Sequence, residues 1–371
     1  MAKNDTVVGL DIGRYSVKAA WARNQGGKSR VTRVETLRLP TTAPDIRSLL
    51  LPWLEKQDVS GHPCVVSVPG QSCMFQPFLL PPRDPRTPGQ AAAMEVIRFN
   101  EMASEQMVYG FSTTPINPGE QLILLGMARP TILDEILASA RGMNLNVVDM
   151  VPSPIALFNA LELSVGSHPA PYLFINIGHG STDIAIGSQT GIVFARSFTG
   201  GGELFTEALA KARDVSMSQA DDFKLAEGSL LPGKPTASTL ASAAEFWMSE
   251  VESCLSVYEN AMHANRARPA RIILTGGGAQ LPGLPEYVAK RLRMEASALD
   301  SLPADKEVRN PASFAIAAGL AFSGLGKAPV SLSLLPEAVR REILFRTKKP
   351  YWIAAGLAAA LILGISLLGG F

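Results

Sequence analysis

The sequence lacks a strong net charge of either sign. Its 34 Lys and Arg residues nearly balance its 33 Asp and Glu residues, which leaves a formal net charge of +1 at pH 7. A near-neutral chain offers no broad basic field to the phosphates of a nucleic acid. We therefore do not expect this protein to bind nucleic acid along an extended surface.

Paired cysteines and clustered histidines are also lacking. The cysteines are odd in number and have no short paired spacing, namely Cys64, Cys73 and Cys254. This pattern favours reduced thiols in a reducing compartment over a disulfide framework or a metal site. The histidines are equally scattered, at His62, His168, His179 and His263. No two of them have the spacing of metal ligands, which argues against a zinc site.

Charge is missing from the last part of the chain. Trp352–Leu368 is a run of 17 residues without a charged side chain, and a membrane-spanning helix needs roughly 20 apolar residues, with about 17 as the lower limit. The basic cluster just before it, in RREILFRTKK at residues 340–349, is expected to stay in the cytoplasm. We therefore predict that residues 1 to about 350 lie on the cytoplasmic face of the inner membrane and that one transmembrane helix at 351–371 crosses it. The alternative is a buried core helix. No signal peptide is expected, because Met1–Asp5 is polar and a strand follows at once.

Glycine, by contrast, is placed in several turns that each follow a short apolar strand. The turns lie in GLDIGRYSVKAAW (residues 9–21), INIGHGSTDIAI (175–186) and IILTGGGAQLPGL (272–284), and a further run, Gly200–Gly202, opens a helix. Glycines let backbone N–H groups approach phosphate oxygens where a Cβ would collide, and a helix start adds a positive dipole end. An Asp at a strand end, such as Asp11, can hold the hydrated Mg²⁺ that a triphosphate carries. Two such turns facing each other could therefore hold a triphosphate from both sides.

The order and spacing of these turns resemble the actin-like ATPase superfamily (the Hsp70/hexokinase/actin fold), over about residues 5–325. Within it, the segments FTGGGELFTEAL, MSQADDFKL and EFWMSEVESCLSVYEN, and the small module before VVDMVPSPIAL, resemble the PilM-type pilus assembly proteins. The GspL proteins of type II secretion and the cell-division ATPase FtsA are related families.

The resemblance implies a site for ATP and Mg²⁺. It places Asp11, Gly13, Ser16 and Lys18 at the phosphates, with Asp11 as the metal-binding residue. It places Gly178, Ser181 and Thr182 in the second phosphate turn, and Glu203 and Lys224 near the ribose and adenine. It places Gly276, Gly277 and Gly278 against the nucleoside, and Arg14, His179, Gly201 and Gly202 belong to the same set of cofactor-binding residues.

Two residues depart from the family pattern, and both bear on hydrolysis. Asn176 occupies a position at which the family usually has Asp, and an amide has no charge, binds Mg²⁺ weakly and is a poor base. Arg14 is bulkier than the usual small hydroxyl residue; it could bind a phosphate as a cation or crowd the γ-phosphate. Asp183 is expected to cap the turn rather than to act in catalysis. We therefore assign no catalytic residue and expect nucleotide binding with weak or absent hydrolysis.

The resemblance also implies an α/β, two-lobed actin-like fold with an inserted small α/β subdomain and the C-terminal transmembrane helix. The expected boundaries are lobe I at 1–84 and 151–185 with 310–328, the inserted subdomain at 85–150, and lobe II at 186–309. The insertion is predicted to contain a helix from residue 88 to about 104, a strand at 121–128, a helix at 131–140 and a strand at 145–150. A chain of 371 residues is long enough for such a division.

The segment between the predicted lobes and the predicted span has a resemblance of its own. SLSLLPEAVRREILF at residues 331–345 resembles the start of PilN, whose INLLP-type peptide docks in a groove of PilM in that family. The resemblance implies that Leu332, Leu334, Leu335 and Pro336, in a juxtamembrane peptide at 329–350, bind such a groove on this chain or on a partner. The alternative is that 332–336 is a linker with helix-start residues.

The function that these observations favour is an inner-membrane, nucleotide-binding scaffold of a type IV pilus or type II secretion machine. The family implies PilN-like and PilO-like membrane proteins and pilus motor ATPases as partners. Two alternatives belong to other classes. A small-molecule kinase needs a carboxylate base near the γ-phosphate, and Asn176 argues against it. An FtsA-like filament protein uses an amphipathic C-terminal helix, whereas this one is apolar all round.

Overall fold

The computed structural model describes residues 6–40, 46–103, 105–166, 168–262 and 268–345. The chain forms two compact units, Met1–Leu334 and Leu335–Phe371. In the second unit, a helix covers residues 337–345 and carries an ion pair between Glu337 and Arg341. None of the helices within the described ranges is both long and apolar enough to cross a membrane. The predicted span at 351–371 lies outside those ranges.

The first unit contains both strands and helices. The strands are β1 (Thr6–Ile12), β2 (Ser16–Gln25), β3 (Lys28–Arg38), β4 (Pro63–Val68), β5 (Cys73–Leu80), β6 (Val108–Asn117), β7 (Glu120–Ala128), β8 (Asn146–Pro152), β9 (Tyr172–Ile177), β10 (Ser181–Ser188), β11 (Gly191–Thr199), β12 (Arg271–Thr275) and β13 (Glu295–Ala298). The α-helices are α1 (Ile46–Lys56), α2 (Pro88–Ala103), α3 (Pro130–Gly142), α4 (Ser153–Val165), α5 (Gly202–Arg213), α6 (Met217–Glu227), α7 (Ala237–Met262), α8 (Leu284–Leu292) and α9 (Ala315–Gly324).

Two five-stranded sheets share one topology. The first sheet has the order β3-β2-β1-β4-β8 and the second sheet the order β11-β10-β9-β12-β13. In each sheet three antiparallel strands are followed by two parallel ones. The chain therefore repeats one mixed α/β arrangement, and each repeat begins with two strands joined by a glycine turn.

Close packing of backbone on backbone holds the first sheet to the helices beside it. A Cβ at Gly9 of β1 would overlap the backbone of α9, and a Cβ at Gly319 of α9 would overlap the carbonyl oxygen of Ala156 in α4. Helix α4 is buried nearly all round, as its continuous apolar sequence requires. These glycines bring β1, α9 and α4 together and fix the position of the turn that follows β1.

A third sheet, of order β5-β7-β6, packs against α2. The sequence predicts the strand at β7 and the helix at α2 but not β6, in which Gly110, Pro115 and several hydroxyl residues interrupt the apolar alternation. The apolar core of this subdomain includes Ile123 and Leu125 of β7 and Ala92 of α2.

Several strands pair across the expected domain boundaries. We expected 85–150 to form the inserted subdomain, but β5 at 73–80 joins the third sheet and β8 at 146–152 pairs in parallel with β4 of the first sheet. We also expected 151–185 in lobe I, but β9 and β10 are strands of the second sheet. The reason is that parallel pairing joins strands distant in sequence, which adjacency along the chain does not reveal.

Candidate functional site

A cavity of about 810 Å³ lies between residues of the first sheet and the glycine turns of the second. On one side it is lined by Tyr15, Ser16 and Lys18 and by residues of β3. On the other side its lining includes Gly178, His179 and Gly202. The rings of Tyr15 and His179 stack with their centroids 5.0 Å apart, so the two strand-joining turns meet at this cavity.

These two turns have the same local structure. The first glycine turn (residues 11–16) reads DIGRYS and the second glycine turn (residues 176–181) reads NIGHGS. The Gly13 N–H donates to the Ser16 carbonyl oxygen at 3.1 Å, and the Gly178 N–H donates to the Ser181 carbonyl oxygen at 2.9 Å. A Cβ at either glycine would lie 3.0 Å from that same serine oxygen, which is tighter than ordinary contact. Glycine therefore fits each turn without displacing the serine carbonyl.

Asp11 closes β1 at the base of the first turn. Its carboxylate accepts a hydrogen bond from Ser67 Oγ at 3.0 Å, and its position in the strand pair is opposite Lys18. Burial raises the pKa of Asp11, although the charge of Lys18 and the bond from Ser67 act in the other direction. The carboxylate is thus incompletely compensated by protein groups, and a cation could compensate it further.

Asn176 and Asp183 form a hydrogen-bonded pair at the base of the second turn. Asp183 accepts from Ser197 Oγ at 2.6 Å, Ser153 Oγ at 3.0 Å and Asn176 Nδ2 at 3.3 Å. Burial, and to a smaller extent the charge of Asp11, raise the pKa of Asp183 to about 6, while the three donors act in the other direction. A carboxylate at 176 would face Asp183 without the amide donor, which is a physical reason for the Asn at this position.

The glycine run at the start of α5 packs against the second turn. The Gly202 N–H donates to the Gly178 carbonyl oxygen at 2.8 Å, and the Glu203 N–H donates to the His179 carbonyl oxygen at 2.9 Å. A Cβ at Gly201 would overlap the Gly178 carbonyl oxygen. The N–H groups of Gly202 and Glu203 therefore position the second turn, and Gly202 also lines the cavity.

In the TGGG turn after β12, some glycines are needed for close packing and some line the cavity. Gly276 has a φ of +84°, and a Cβ there would overlap the backbone of Ile177; a Cβ at Gly278 would overlap the Ile177 side chain. A Cβ at Gly277 would have nothing within 4 Å. Gly277 and Gly278 line the cavity, so this turn closes one wall of it.

The structure thus brings about half of the predicted residues to the cavity wall. Those that line it are Ser16, Lys18, Gly178, His179, Gly202, Lys224, Gly277 and Gly278. Outside that lining, among the residues that the structure describes, are Asp11, Gly13, Arg14, Ser181, Thr182, Gly201, Glu203 and Gly276. Thr182 is fully buried: its hydroxyl donates to the Gly200 carbonyl oxygen at 2.7 Å and accepts from Trp247 Nε1 at 2.9 Å.

Tyr15, Arg38 and Asp221 are among the side chains of the cavity that sequence reasoning missed. Asp221 accepts hydrogen bonds from the Tyr15 hydroxyl at 2.8 Å and from Arg38 Nη2 at 2.9 Å. It also forms an ion pair with Lys224 at 2.8 Å. The one signal in the sequence was its place three residues before Lys224, on the same helix face.

A groove on the first unit holds the tail segment (residues 328–334). The amide of Asn159, in α4, donates to the Val330 carbonyl oxygen and accepts from the Val330 N–H, both at 2.9 Å. The Leu334 N–H donates to the Met150 carbonyl oxygen at 2.8 Å. Leu332 and Leu334 are 3% and 0% exposed. Leu335 and Pro336, predicted to bind with them, belong to the second unit.

Two glycines form the floor of this groove. Gly110 of β6 and Gly126 of β7 lie opposite each other in the strand pair. A Cβ at Gly110 would overlap the Ser333 carbonyl oxygen, and a Cβ at Gly126 would lie 3.0 Å from Leu332 Cδ2. The tail segment therefore approaches the third sheet at a distance that only glycine permits.

Two solved structures are similar to this chain over most of its length. The chain is similar to a solved PilM–PilN type IV pilus biogenesis complex, with a TM-score of 0.65 at 19% identity over 86% of this chain and 98% of that one. It is also similar to the ethanolamine utilization protein EutJ from Carboxydothermus hydrogenoformans, with a TM-score of 0.50 at 13% identity over 86% of this chain and 91% of that one. These likenesses support the mixed α/β actin-like ATPase fold.

Sequence comparison agrees with the structural one. The cell division protein FtsA of Streptococcus pneumoniae is 23% identical over 364 residues, covering 84% of this chain and 79% of FtsA. The FtsA protein of Rhizobium meliloti is 27% identical over 200 residues, covering 47% of this chain and 44% of FtsA. The family model described as type IV pilus assembly protein PilM matches residues 106–324. Because that match spans more than half of the chain, this protein belongs to the PilM family of type IV pilus assembly proteins.

Proposed function

We propose that this chain is a nucleotide-binding scaffold of a type IV pilus assembly machine, which takes ATP with Mg²⁺ in its cavity and hydrolyses it slowly or not at all. The observation that carries the proposal is the meeting of the two glycine turns at one cavity, with Tyr15 stacked on His179. The cavity volume of about 810 Å³ falls in the usual range of small-molecule sites, about 300–1,000 Å³.

The charge of the cavity lining suits a polyanion. Lys18, Arg38, Lys224 and Arg309 line it, against two carboxylates, Glu35 and Asp221. Excess cationic charge in a cleft attracts phosphates and strengthens their binding. An apolar portion of the lining, with Val34, Phe205, Leu281 and Phe314, could cover a base.

Asp11 is the residue that we assign to Mg²⁺. It lies outside the cavity lining, but it is at the base of the first glycine turn and opposite Lys18, which lines the cavity. Among the residues that the structure describes, no group of three or more His, Cys, Asp and Glu side chains could hold a metal ion. Mg²⁺ bound with a nucleotide does not need such a group, because phosphates and waters supply most of its ligands and the protein adds one or two carboxylates. The elevated pKa of Asp11 fits a carboxylate that a cation would stabilise.

Calorimetry of the purified 371-residue chain tests the proposal directly. We expect titration with ATP in magnesium buffer to give saturable heat, and the melting temperature to rise with ATP as it does for any ligand that binds the folded state alone. A chain that gives no heat with either ATP or ADP would contradict the proposal.

Asn176→Asp should raise the rate of phosphate release, several-fold above a wild-type rate near background. A carboxylate at this position can place a metal-bound water or accept its proton, which an amide does poorly. The matched control is Asn176→Asp with Asp183→Asn, which keeps one carboxylate and one amide in the pair. Rapid turnover by the wild-type chain would show that Asn176 does not limit hydrolysis.

The tail segment is the second part of the proposal. We assign it as a PilN-like peptide held in cis, supported by the two bonds of Asn159 to Val330 and by the burial of Leu332 and Leu334. A peptide tethered by a short linker has an effective concentration of order millimolar, so even a weak contact stays formed. The segment contacts the third sheet through Gly110 and β8 through Met150, and thereby joins the inserted subdomain to the first sheet.

Inner-membrane attachment through 351–371, PilO-like and motor-ATPase partners, and a role in type II secretion remain predictions. The similarity to FtsA keeps an FtsA-like filament protein as the second candidate. Sedimentation with ATP and lipid vesicles distinguishes the two, since extended filaments in electron micrographs of the pellet would favour the second.

A further inference from the structure

Asp221 is the most heavily bonded carboxylate of the cavity. Its Oδ2 accepts from the Tyr15 hydroxyl at 2.8 Å and from Arg38 Nη2 at 2.9 Å. Its Oδ1 pairs with Lys224 Nζ at 2.8 Å and accepts from Thr206 Oγ1 at 3.4 Å. Both oxygens therefore accept bonds from donors of the protein itself.

The donors come from both sides of the cavity. Tyr15 lies in the first glycine turn and Arg38 ends β3, whereas Asp221 and Lys224 lie on α6. The Arg38 guanidinium also lies 5.0 Å from the centre of the Tyr15 ring. Asp221 thus ties the first sheet to the helix on the far side through one carboxylate.

The bonds favour the charged form of this carboxylate. Burial alone would raise the pKa of Asp221, but hydrogen bonds from Lys224 and Tyr15, together with the charges of Lys224 and Arg38, hold it below its ordinary value. Burial and the bond to Asp221 raise the pKa of Tyr15 to about 12. At neutral pH the Tyr15 hydroxyl is therefore a donor and Asp221 an anion.

A polyanionic ligand would compete with Asp221 for its cations. Arg38 and Lys224 are cations of the cavity lining, and Asp221 already pairs with both. Phosphates placed near Arg38 and Lys224 would also lie near the Asp221 charge, and like charges repel strongly where water is excluded.

We propose that Asp221 is a cross-cavity latch that holds the first sheet against α6 in the ligand-free protein and weakens the binding of polyanions by competing for Arg38 and Lys224. This inference rests on the proposed nucleotide site. A polyanion that binds Arg38 or Lys224 must draw that cation away from Asp221. Asp221 therefore limits the affinity of the cavity for polyanions.

The test is Asp221→Asn in the full chain, titrated with ATP and magnesium and, separately, with inorganic tripolyphosphate. We expect both affinities to rise, by about two- to fivefold, the amount expected for a partly exposed ion pair. The ligand-free variant should melt below wild type, and the difference should shrink at saturating ATP. Tyr15→Phe keeps the ring but removes the hydroxyl donor. It should raise both affinities and lower the melting temperature of the ligand-free chain, in each case by less than Asp221→Asn does.

Glu227→Gln is the matched control. Glu227 lies on the same helix, is exposed and is outside the cavity lining, so its removal should leave both affinities within error. Weaker ATP binding by Asp221→Asn with unchanged tripolyphosphate binding would overturn the latch and make Asp221 a direct contact for a nucleoside hydroxyl. Unchanged affinities would overturn it also. If no variant and no wild-type chain binds either probe, the proposed site itself fails.

Discussion

Asp11→Asn should remove the magnesium dependence of ATP binding. In wild type we expect chelation of magnesium to weaken ATP binding, because Asp11 is the carboxylate assigned to the cation. The asparagine keeps the size of the side chain and an acceptor for Ser67, which donates at 3.0 Å, and loses only the charge. The affinity for ATP with magnesium should fall by about 10- to 100-fold, the usual effect of losing a group that supports a bound metal. Calorimetry with and without EDTA measures both quantities.

The melting temperature of Asp11→Asn shows whether weaker ATP binding reflects loss of the magnesium site or loss of the fold. The pKa of Asp11 is raised by burial, so the group binds protons more tightly when folded, and its charged form lowers stability at neutral pH. Asn in its place removes that cost, and we expect the variant to melt at or above wild type. Asp134→Asn is the same change at an exposed position of α3. It should alter neither the magnesium dependence of ATP binding nor the melting temperature. An Asp11→Asn chain that kept full magnesium dependence would place the cation elsewhere.

The glycine turns could be predicted from sequence because their cause is local. Both DIGRYS and NIGHGS have a glycine two residues after an Asp or Asn, and each lies between two apolar strands. The Gly13–Ser16 and Gly178–Ser181 bonds close within four residues. The PilM-type resemblance, which rests on segments such as FTGGGELFTEAL, is confirmed by the match of the PilM family model to residues 106–324.

Asp221 could not be predicted in the same way, because its role depends on distant partners. Tyr15 is 206 residues away and Arg38 is 183 residues away in the chain, and nothing in ADDFK indicates either contact. Asn176 is an intermediate case. Its departure from the family pattern was visible, but its reason, the bond to Asp183, required the register of β9 against β10.

The sheet to which β8 belongs could not be predicted from sequence, for a further physical reason. β8 follows α3 directly and is apolar, so adjacency assigns it to the insertion, yet it pairs in parallel with β4. The burial that decides between these sheets is tertiary, and β-propensity carries no information about which strand is the neighbour. The floor of the tail groove was missed likewise, since Gly110 and Gly126 become opposite neighbours only through the β6–β7 register.

Gly110→Ala should displace the tail segment from its groove. The added Cβ would overlap the carbonyl oxygen of Ser333, which is backbone and cannot turn away, so the segment has to move. Forcing an extra methyl into a packed contact costs typically about 1–3 kcal/mol, which would speed amide exchange in the segment by about 5- to 150-fold. Hydrogen–deuterium exchange at Val330 and Leu334, whose N–H groups bond to Asn159 and Met150, measures the change.

Gly89→Ala is the control within the same subdomain, because its Cβ would meet Phe111 at an ordinary 3.7 Å. It should leave exchange in the tail segment unchanged. A second variant, Leu332→Asp with Leu334→Asp, empties the groove without altering its floor, since burial of two leucines is worth about 3–6 kcal/mol. An added peptide of residues 328–345 should then bind this variant, and should bind it poorly once Gly110→Ala is included. Unchanged exchange in Gly110→Ala, or equal peptide binding with and without it, would mean that the glycine floor does not hold the segment, and the cis-bound peptide would have to be abandoned.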